Sequence, residues 1–353
     1  MRGGSSRGPY LNRADLPQDL DALAAVLIAM VGAGHPLNID GIGGGAAVTT
    51  KVAMLSPAQE DWADIDYFFA QVSVEEHRVD FKPTCGNILT GVGPAAIEMG
   101  LIPAQDGETT VNIKAVNTGA RVVATVQTPG GHVSYEGAAQ IDGVPGTSAP
   151  VGLQFMDTVG GVTGAFLPTG NLIDTIDGIE VTCMDVAMPI VIARAESFGL
   201  SGYETAADLD ANAAFYARME PLRRKAGALM GMGDVSASVT PKFALLAPAR
   251  AGGTIATRYF MPQKCHPTMA VTGAQCLASC VLTPGTVAEG MAATPNEGPA
   301  TITLEHASGV IEVIVDFKNT AAGFTLQSAG LVRTARKLAS GTVFVPASIW
   351  SPD

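Results

Sequence analysis

One cysteine sits where a thiol can do chemistry. In Lys82-Pro83-Thr84-Cys85-Gly86-Asn87 the proline ends whatever strand precedes it, and the small and apolar run Ile88 to Met99 predicts a helix. Cys85 then lies at a helix N-terminus, where unpaired backbone N–H groups and the positive end of the macrodipole favour a thiolate. The same N–H groups, with Gly86 and Asn87 leading, can hold a carboxylate. A thiol beside an anion site is what proton transfer next to a carboxylate requires. A small buried residue is the structural alternative.

Lys51 is the second candidate. It follows a glycine loop, Gly41-Ile42-Gly43-Gly44-Gly45, within a strand-like run from Ala47 to Leu55 that ends at Pro57. A lysine neutralised by desolvation can remove a proton; a solvated lysine on a strand's outward face is the alternative. The loop lacks GxGxxG spacing and precedes a strand, which argues against a dinucleotide. At the N-terminus, Arg2-Gly3-Gly4-Ser5-Ser6-Arg7-Gly8 can wrap an anion, with Arg2, Ser5 and Ser6 as the clamping side chains. Without further evidence a loose terminus is the better expectation for such a segment.

The elements that must hold these residues are ordinary ones. The chain has 353 residues, 47% hydrophobic and 15% charged, with 41 glycines, enough for two domains that each bury a core. Net charge is −12 and the longest basic run is Arg223-Arg224-Lys225, so nucleic acid is not expected as a partner. An anionic substrate then needs a locally positive site. Five cysteines, Cys85, Cys183, Cys265, Cys276 and Cys280, show no zinc spacing, and no signal peptide precedes them. This predicts a reducing cytoplasm and no metal. Leu20 to Val31 is too short to span a bilayer, so no membrane partner is expected. The apolar composition suggests a homodimer. His35, His77, His132 and His306 are scattered and carry no predicted role.

An internal repeat organises the chain. Glycine loop, Val-Thr and Lys-x-Ala-x-Leu-x-Pro occur around Lys51 and again 191 residues on, around Lys242. At the same offset Thr110-Val111-Asn112-Ile113 leads into Val122 to Val126, and Thr301-Ile302-Thr303-Leu304 into Val310 to Val315. Both pairs read as β-hairpins. Helical patterns, Gln18 to Met30 and Ala206 to Met230, precede the glycine loops. The expectation is two copies of one mixed α/β unit, residues 1–160 and 161–353, with a linker between about Pro145 and Asp174 and the final residues able to cross back. Two such domains facing each other would make a cleft, the usual place for a site.

The second copy differs at the chemistry. Cys276 lies 191 residues beyond Cys85, but Thr272-Gly273 resembles a cap followed by a close-approach glycine, which would put Cys276 inside the helix as core. Thr272 and Gly273 are then the second set of N–H donors for a carboxylate. His266 could bind a carboxylate or shuttle a proton, and a structural histidine before Pro267 is the alternative. Lys242, after Pro241, reads as solvated.

Taken in order, Arg2-Gly3-Gly4-Ser5-Ser6-Arg7-Gly8, Thr50-Lys51-Val52-Ala53, Cys85-Gly86-Asn87 and Ala270-Val271-Thr272-Gly273-Ala274 resemble the PrpF family. Arg258-Tyr259-Phe260, Cys265-His266-Pro267 and Thr283-Pro284-Gly285-Thr286-Val287-Ala288 look most like its 4-oxalomesaconate tautomerase branch. The resemblance implies an α+β, diaminopimelate-epimerase-like fold, with two pseudo-symmetric domains, each a β-barrel-like sheet around a central helix. It also implies a cofactor-free isomerase that shifts a proton across an unsaturated tricarboxylate, such as 4-oxalomesaconate from meta-cleavage of gallate or protocatechuate. Lys51 and Cys85 are the catalytic pair by motif, in an order the sequence leaves open. Alternatives are a methylaconitate or methylitaconate isomerase, or a non-catalytic protein that binds a tricarboxylate. Ser5-Ser6-Arg7 departs from the family's Thr-Ser-Lys, and Met188 stands where the family suggests Asn.

Overall fold

A computed structural model describes residues 1–261, 263–320 and 323–351. The chain divides into two compact units, Met1–Phe155 with Val332–Asp353, and Met156–Leu331.

The first unit contains β1 (Arg2–Gly3), β2 (Ser6–Arg7), β3 (Tyr10–Asn12), α1 (Leu20–Val31), β4 (Lys51–Pro57), β5 (Ile65–Val72) and β6 (Val79–Asp80). It continues with α2 (Gly86–Leu89), α3 (Val92–Glu98), β7 (Gly107–Ala115), β8 (Ala120–Thr128) and β9 (Pro150–Phe155). β3 runs parallel to β4, β4 antiparallel to β5, β5 parallel to β7, and β7, β8 and β9 form an antiparallel meander.

Strand alternation divides this core in two. Val52, Met54, Ala70 and Val72 pack with Leu23, Val26, Leu27 and Met30 of α1. Ala53, Leu55, Tyr67 and Phe69 face the other way, with side chains of β7, β8 and β9, onto Ile88, Leu89, Val92, Ala95 and Ala96. Here the sheet wraps α2 and α3. Asp19 caps α1 by accepting from the N–H groups of Asp21 and Ala22.

The second unit holds β10 (Asp174–Ile176), β11 (Ile179–Asp185), β12 (Pro189–Arg194), α4 (Ala206–Asp210), α5 (Ala213–Leu229), β13 (Lys242–Pro248) and β14 (Ile255–Phe260). α6 (Val271–Leu282), β15 (Ala300–His306), β16 (Gly309–Thr320) and β17 (Gly323–Arg336) follow. The pairing repeats that of the first unit: β12 parallel to β13, β13 antiparallel to β14, β14 parallel to β15, then a β15–β16–β17 meander. Lys51 and Lys242 open equivalent strands, and Pro57 and Pro248 close them. α6 is apolar almost all round and buried from Gly273 to Leu282, as a helix enclosed by its sheet must be. The last residues of β17 belong to the first unit, where Ala335 and Arg336 pair with Gly3 and Arg2.

Three expectations need correction. The helix predicted over Ile88 to Met99 is two short segments meeting at Thr90-Gly91. Pro94 has no N–H to donate to Thr90, and its ring crowds that carbonyl. The N-terminus is pinned: the Met1 amine donates to the Gly8 carbonyl at 2.8 Å and Arg2-Gly3 lies between two strands. α6 starts at Val271 with Ala270 at the cap position, so Thr272 is a first-turn residue and not a cap. A Cβ on Gly273 would come within 2.6 Å of the Tyr259 ring, so a bare glycine is what packs this closely on that ring.

Glu305, 7% exposed, secures the loop after β13. Its carboxylate accepts from the N–H groups of Arg250 at 2.8 Å, Ala251 at 2.6 Å and Gly253 at 2.8 Å. Burial pushes the carboxyl up, but the three donors outweigh it and hold it below the usual glutamate value. Glu305→Ala is expected to cost about 2–3 kcal/mol in urea unfolding at pH 7, because three donors lose their acceptor. With the folded value depressed, Glu305's contribution is full above the unfolded value near pH 4.3 and is lost as pH falls through the folded one. The gap between wild type and variant should therefore narrow in acid.

Candidate active site

The first unit places Lys51 and Cys85 on one face of its sheet. Lys51 shares a face with Ala53 and Leu55, and those residues pack in the cluster that Cys85 borders. The Lys51 Nζ donates to Gln71 Oε1 at 2.5 Å and stands 5.4 Å above the centre of the Phe69 ring. Gln71 lies opposite Lys51 in β5, and its own NH2 donates to the carbonyls of Ala47 and Val72 and to Thr50 Oγ1. That leaves Oε1 turned to the lysine. The partner is a neutral amide, and Lys51 has no ion pair with any described residue. Gln71 carried no sequence signal, since its role depends on strand register.

Gly8 fixes where β4 begins. A Cβ there would overlap the Lys51 carbonyl oxygen. Gly8→Ala is expected to push the two segments apart, at about 1–3 kcal/mol in denaturant unfolding, and to lower any activity that depends on Lys51.

Cys85 is half-buried at the cap position of α2, with φ −138° and ψ 107°, and its side chain makes no capping hydrogen bond. The Leu89 N–H donates to the Cys85 carbonyl at 2.8 Å, so the N–H groups of Gly86, Asn87 and Ile88 precede the first intrahelical bond. Two buried phenols adjoin the turn. Tyr10 donates to the Ile88 carbonyl at 2.5 Å and Tyr67 to the Cys85 carbonyl at 3.4 Å. Burial first, and then the neighbouring Cys85, pushes both phenols well above their ordinary value, so they stay neutral donors. Neither tyrosine was expected at the site.

The N-terminal loop closes over this turn. The Ser5 N–H donates to Asn87 Oδ1 at 3.4 Å, and Asn87 Nδ2 to Ser5 Oγ at 3.2 Å. Arg2 directs one guanidinium nitrogen at the Gly4 and Thr334 carbonyls, both 2.8 Å away, and at Thr334 Oγ1, 2.9 Å away. Another donates to Ser148 Oγ at 3.4 Å. Much of Arg2 is thus committed to holding strands. A cavity of about 440 Å³ opens here, lined by Arg2, Ser5, Ser6, Arg7, Ser148 and Arg336 among others. A larger cavity beside Gln71, about 750 Å³, carries Glu75, Glu76 and Asp80 against Arg78 and Lys82, a poorer setting for an anion.

In the second unit His266 is half-buried beside the end of β14. Its N–H donates to the Tyr259 carbonyl at 2.7 Å, its ring meets the Tyr259 ring edge-on with centroids 6.1 Å apart, and Nδ1 accepts from the Thr268 N–H at 3.1 Å. Burial, with Lys242's charge adding to it, lowers its titration. Lys242 is itself lowered by burial and by Arg223, so it is not the solvated lysine the sequence suggested. Thr272 and Gly273 supply first-turn N–H groups of α6. Cys276 is 0% exposed; burial holds its thiol well above the usual value, and Sγ points at the Met184 carbonyl 3.6 Å away. It is a core residue. Among the described residues no cluster of three or more His, Cys, Asp or Glu has the arrangement of a metal site, and no helix is long and apolar enough to cross a membrane.

The chain is similar over nearly its whole length to named isomerases. The chain is 46% identical over 345 residues (98% of this chain, 96% of the relative) to a (4E)-oxalomesaconate Delta-isomerase of Novosphingobium sp.. It is 44% identical to a 4-oxalomesaconate tautomerase of Pseudomonas putida, over 99% and 96% of the two chains. A crystal structure of a methylitaconate-delta-isomerase superposes with a TM-score of 0.90 at 32% identity, covering 100% of this chain and 96% of the other. The model of the PrpF protein family matches residues 1–346. A match that runs from the pinned N-terminal strand through both copies of the repeat means that the chain belongs to the PrpF family.

Proposed function

We propose that this protein is an isomerase that moves a C=C bond in an unsaturated tricarboxylate by a 1,3-proton shift, with 4-oxalomesaconate as substrate. The observation that carries the reading is Lys51 and Cys85 on one face of one sheet, the lysine oriented by a neutral amide and the thiol left free of capping. The two oxalomesaconate-converting relatives support the substrate.

In the reaction as we write it, the Lys51 amine takes the allylic proton and becomes an ammonium. The electron pair moves into the conjugated system as a dienolate, whose oxygens accept from the N–H groups of Gly86 and Asn87. The Cys85 thiol then protonates the far carbon, and the proton held on Lys51 returns to the cysteine through solvent. Atoms and charge balance with no further reactant. Arg2, Ser5 and Ser6 are assigned to holding a carboxylate beside this pair. The five free cysteines support a reducing, cytoplasmic setting, where meta-cleavage products of aromatic acids are formed.

The test is NMR in D2O with 4-oxalomesaconate. Deuterium entering the allylic position together with a new alkene isomer supports the reading. Turnover confined to methylitaconate or methylaconitate would move the substrate within the family, and silence with every polycarboxylate would overturn the enzyme.

A further inference from the structure

Three arginines stand shoulder to shoulder in the first unit. Arg2 of β1 is the register partner of Arg7 in β2 on one side and of Arg336 in β17 on the other. Directly opposed residues on neighbouring strands project to the same face, and all three line the same cavity of about 440 Å³. Like charges placed opposite each other in a sheet are unfavourable, so the row costs stability unless something neutralises it.

Among the described residues no ion pair supplies that neutralisation. Among the described residues neither Arg7 nor Arg336 makes an ion pair, while their neighbours do have acidic partners: Lys337 pairs with Glu98, and Asp142 acts on Arg333. Glu136 is the one acid on the cavity wall. Arg2 is lowered by burial and further by Arg336, as expected of cations crowded together. Ser5, Ser6, Thr147 and Ser148 add hydroxyl donors to the same wall. Because Arg2 is largely committed to Gly4, Thr334 and Ser148, the outer two guanidinium groups are the ones with forks to offer.

We propose that the Arg7–Arg2–Arg336 row binds the carboxylates of a polycarboxylate substrate, and that Arg336 is the residue that makes a tricarboxylate preferred over a dicarboxylate. The proposal rests on the isomerase reading only for the identity of the substrate; the anion site stands on the row and the cavity. A planar guanidinium takes a carboxylate through two parallel charge-assisted bonds, and losing one such contact corresponds to about a tenfold or greater fall in affinity.

The experiment uses the full chain and unreactive probes. Calorimetric titration with tricarballylate (three carboxylates) and glutarate (two) compares wild type with Arg336→Gln and Arg336→Lys, alongside kcat/KM for 4-oxalomesaconate and methylitaconate. Wild type should bind tricarballylate at least about tenfold more tightly than glutarate. Arg336→Gln should lose about tenfold for tricarballylate and under threefold for glutarate, with Arg336→Lys recovering part of the loss. A merely structural arginine would not change the tri-to-di ratio. Equal losses for both probes, no loss, or no binding by wild type would overturn the proposal. Turnover of 4-oxalomesaconate with an unchanged ratio in Arg336→Gln sinks the specificity role and leaves the isomerase standing. A ratio that depends on Arg336, without turnover of any substrate, does the reverse.

Discussion

Lys51→Met should lower kcat on 4-oxalomesaconate by about a thousandfold, within the range a positioned general base supplies, while KM changes little. Methionine keeps the length and the contact with Phe69 but removes both the proton acceptor and the bond to Gln71. In D2O the variant should neither isomerise the substrate nor exchange its allylic proton. The strand itself should survive, because Val52 and Met54 still pack on α1 and Ala53 and Leu55 on the opposite side. An unchanged unfolding midpoint with activity lost separates catalysis from folding. A variant that keeps full activity would take Lys51 out of the mechanism.

Cys85→Ser should divide the reaction. A hydroxyl is a much weaker acid than a thiol, so reprotonation of the far carbon slows by about a hundredfold or more, while Lys51 still removes the first proton. Deuterium should enter the allylic position of recovered substrate, with little new isomer formed. If exchange disappears together with isomerisation, the cysteine takes the first proton and the assigned order is reversed. Tyr10 and Tyr67 contact carbonyls of this turn and not the thiol, so the backbone around residue 85 should hold in the variant.

These two candidates could be singled out in the sequence because each sits beside a local marker. Lys51 follows a glycine loop that recurs around Lys242, and Cys85 follows a proline and opens a helix. The repeat was legible for the same reason, since equivalent strands start at equivalent lysines and end at equivalent prolines. What escaped needs register or distance along the chain. Gln71 matters because β5 pairs with β4 so that it faces Lys51, and the alternation of a strand alone cannot announce that partner. Arg336 joins Arg2 only through the pairing of β17 with β1. Pro94 was visible, and its effect on the carbonyl four residues earlier should have split the predicted helix. Thr272 misled because a hydroxyl before a glycine looks like a cap, whereas α6 begins one residue earlier, at Val271, and Gly273 is needed for its close packing on Tyr259.

The pairing of the first strand with the end of the last has a consequence for how the chain is made. Arg2 reaches Thr334 across 332 residues of sequence. During synthesis the N-terminal unit emerges early but lacks one of its strands until β17 has been made. Until then β1 has an unpaired edge, and Arg2 on it with Arg7 beside it keeps the edge from recruiting a strand of another chain, as charged side chains on exposed edges do. The Arg7–Arg2–Arg336 row is thereby assembled only after β17 has been made, and a chain ended before β17 carries both Lys51 and Cys85 without that row.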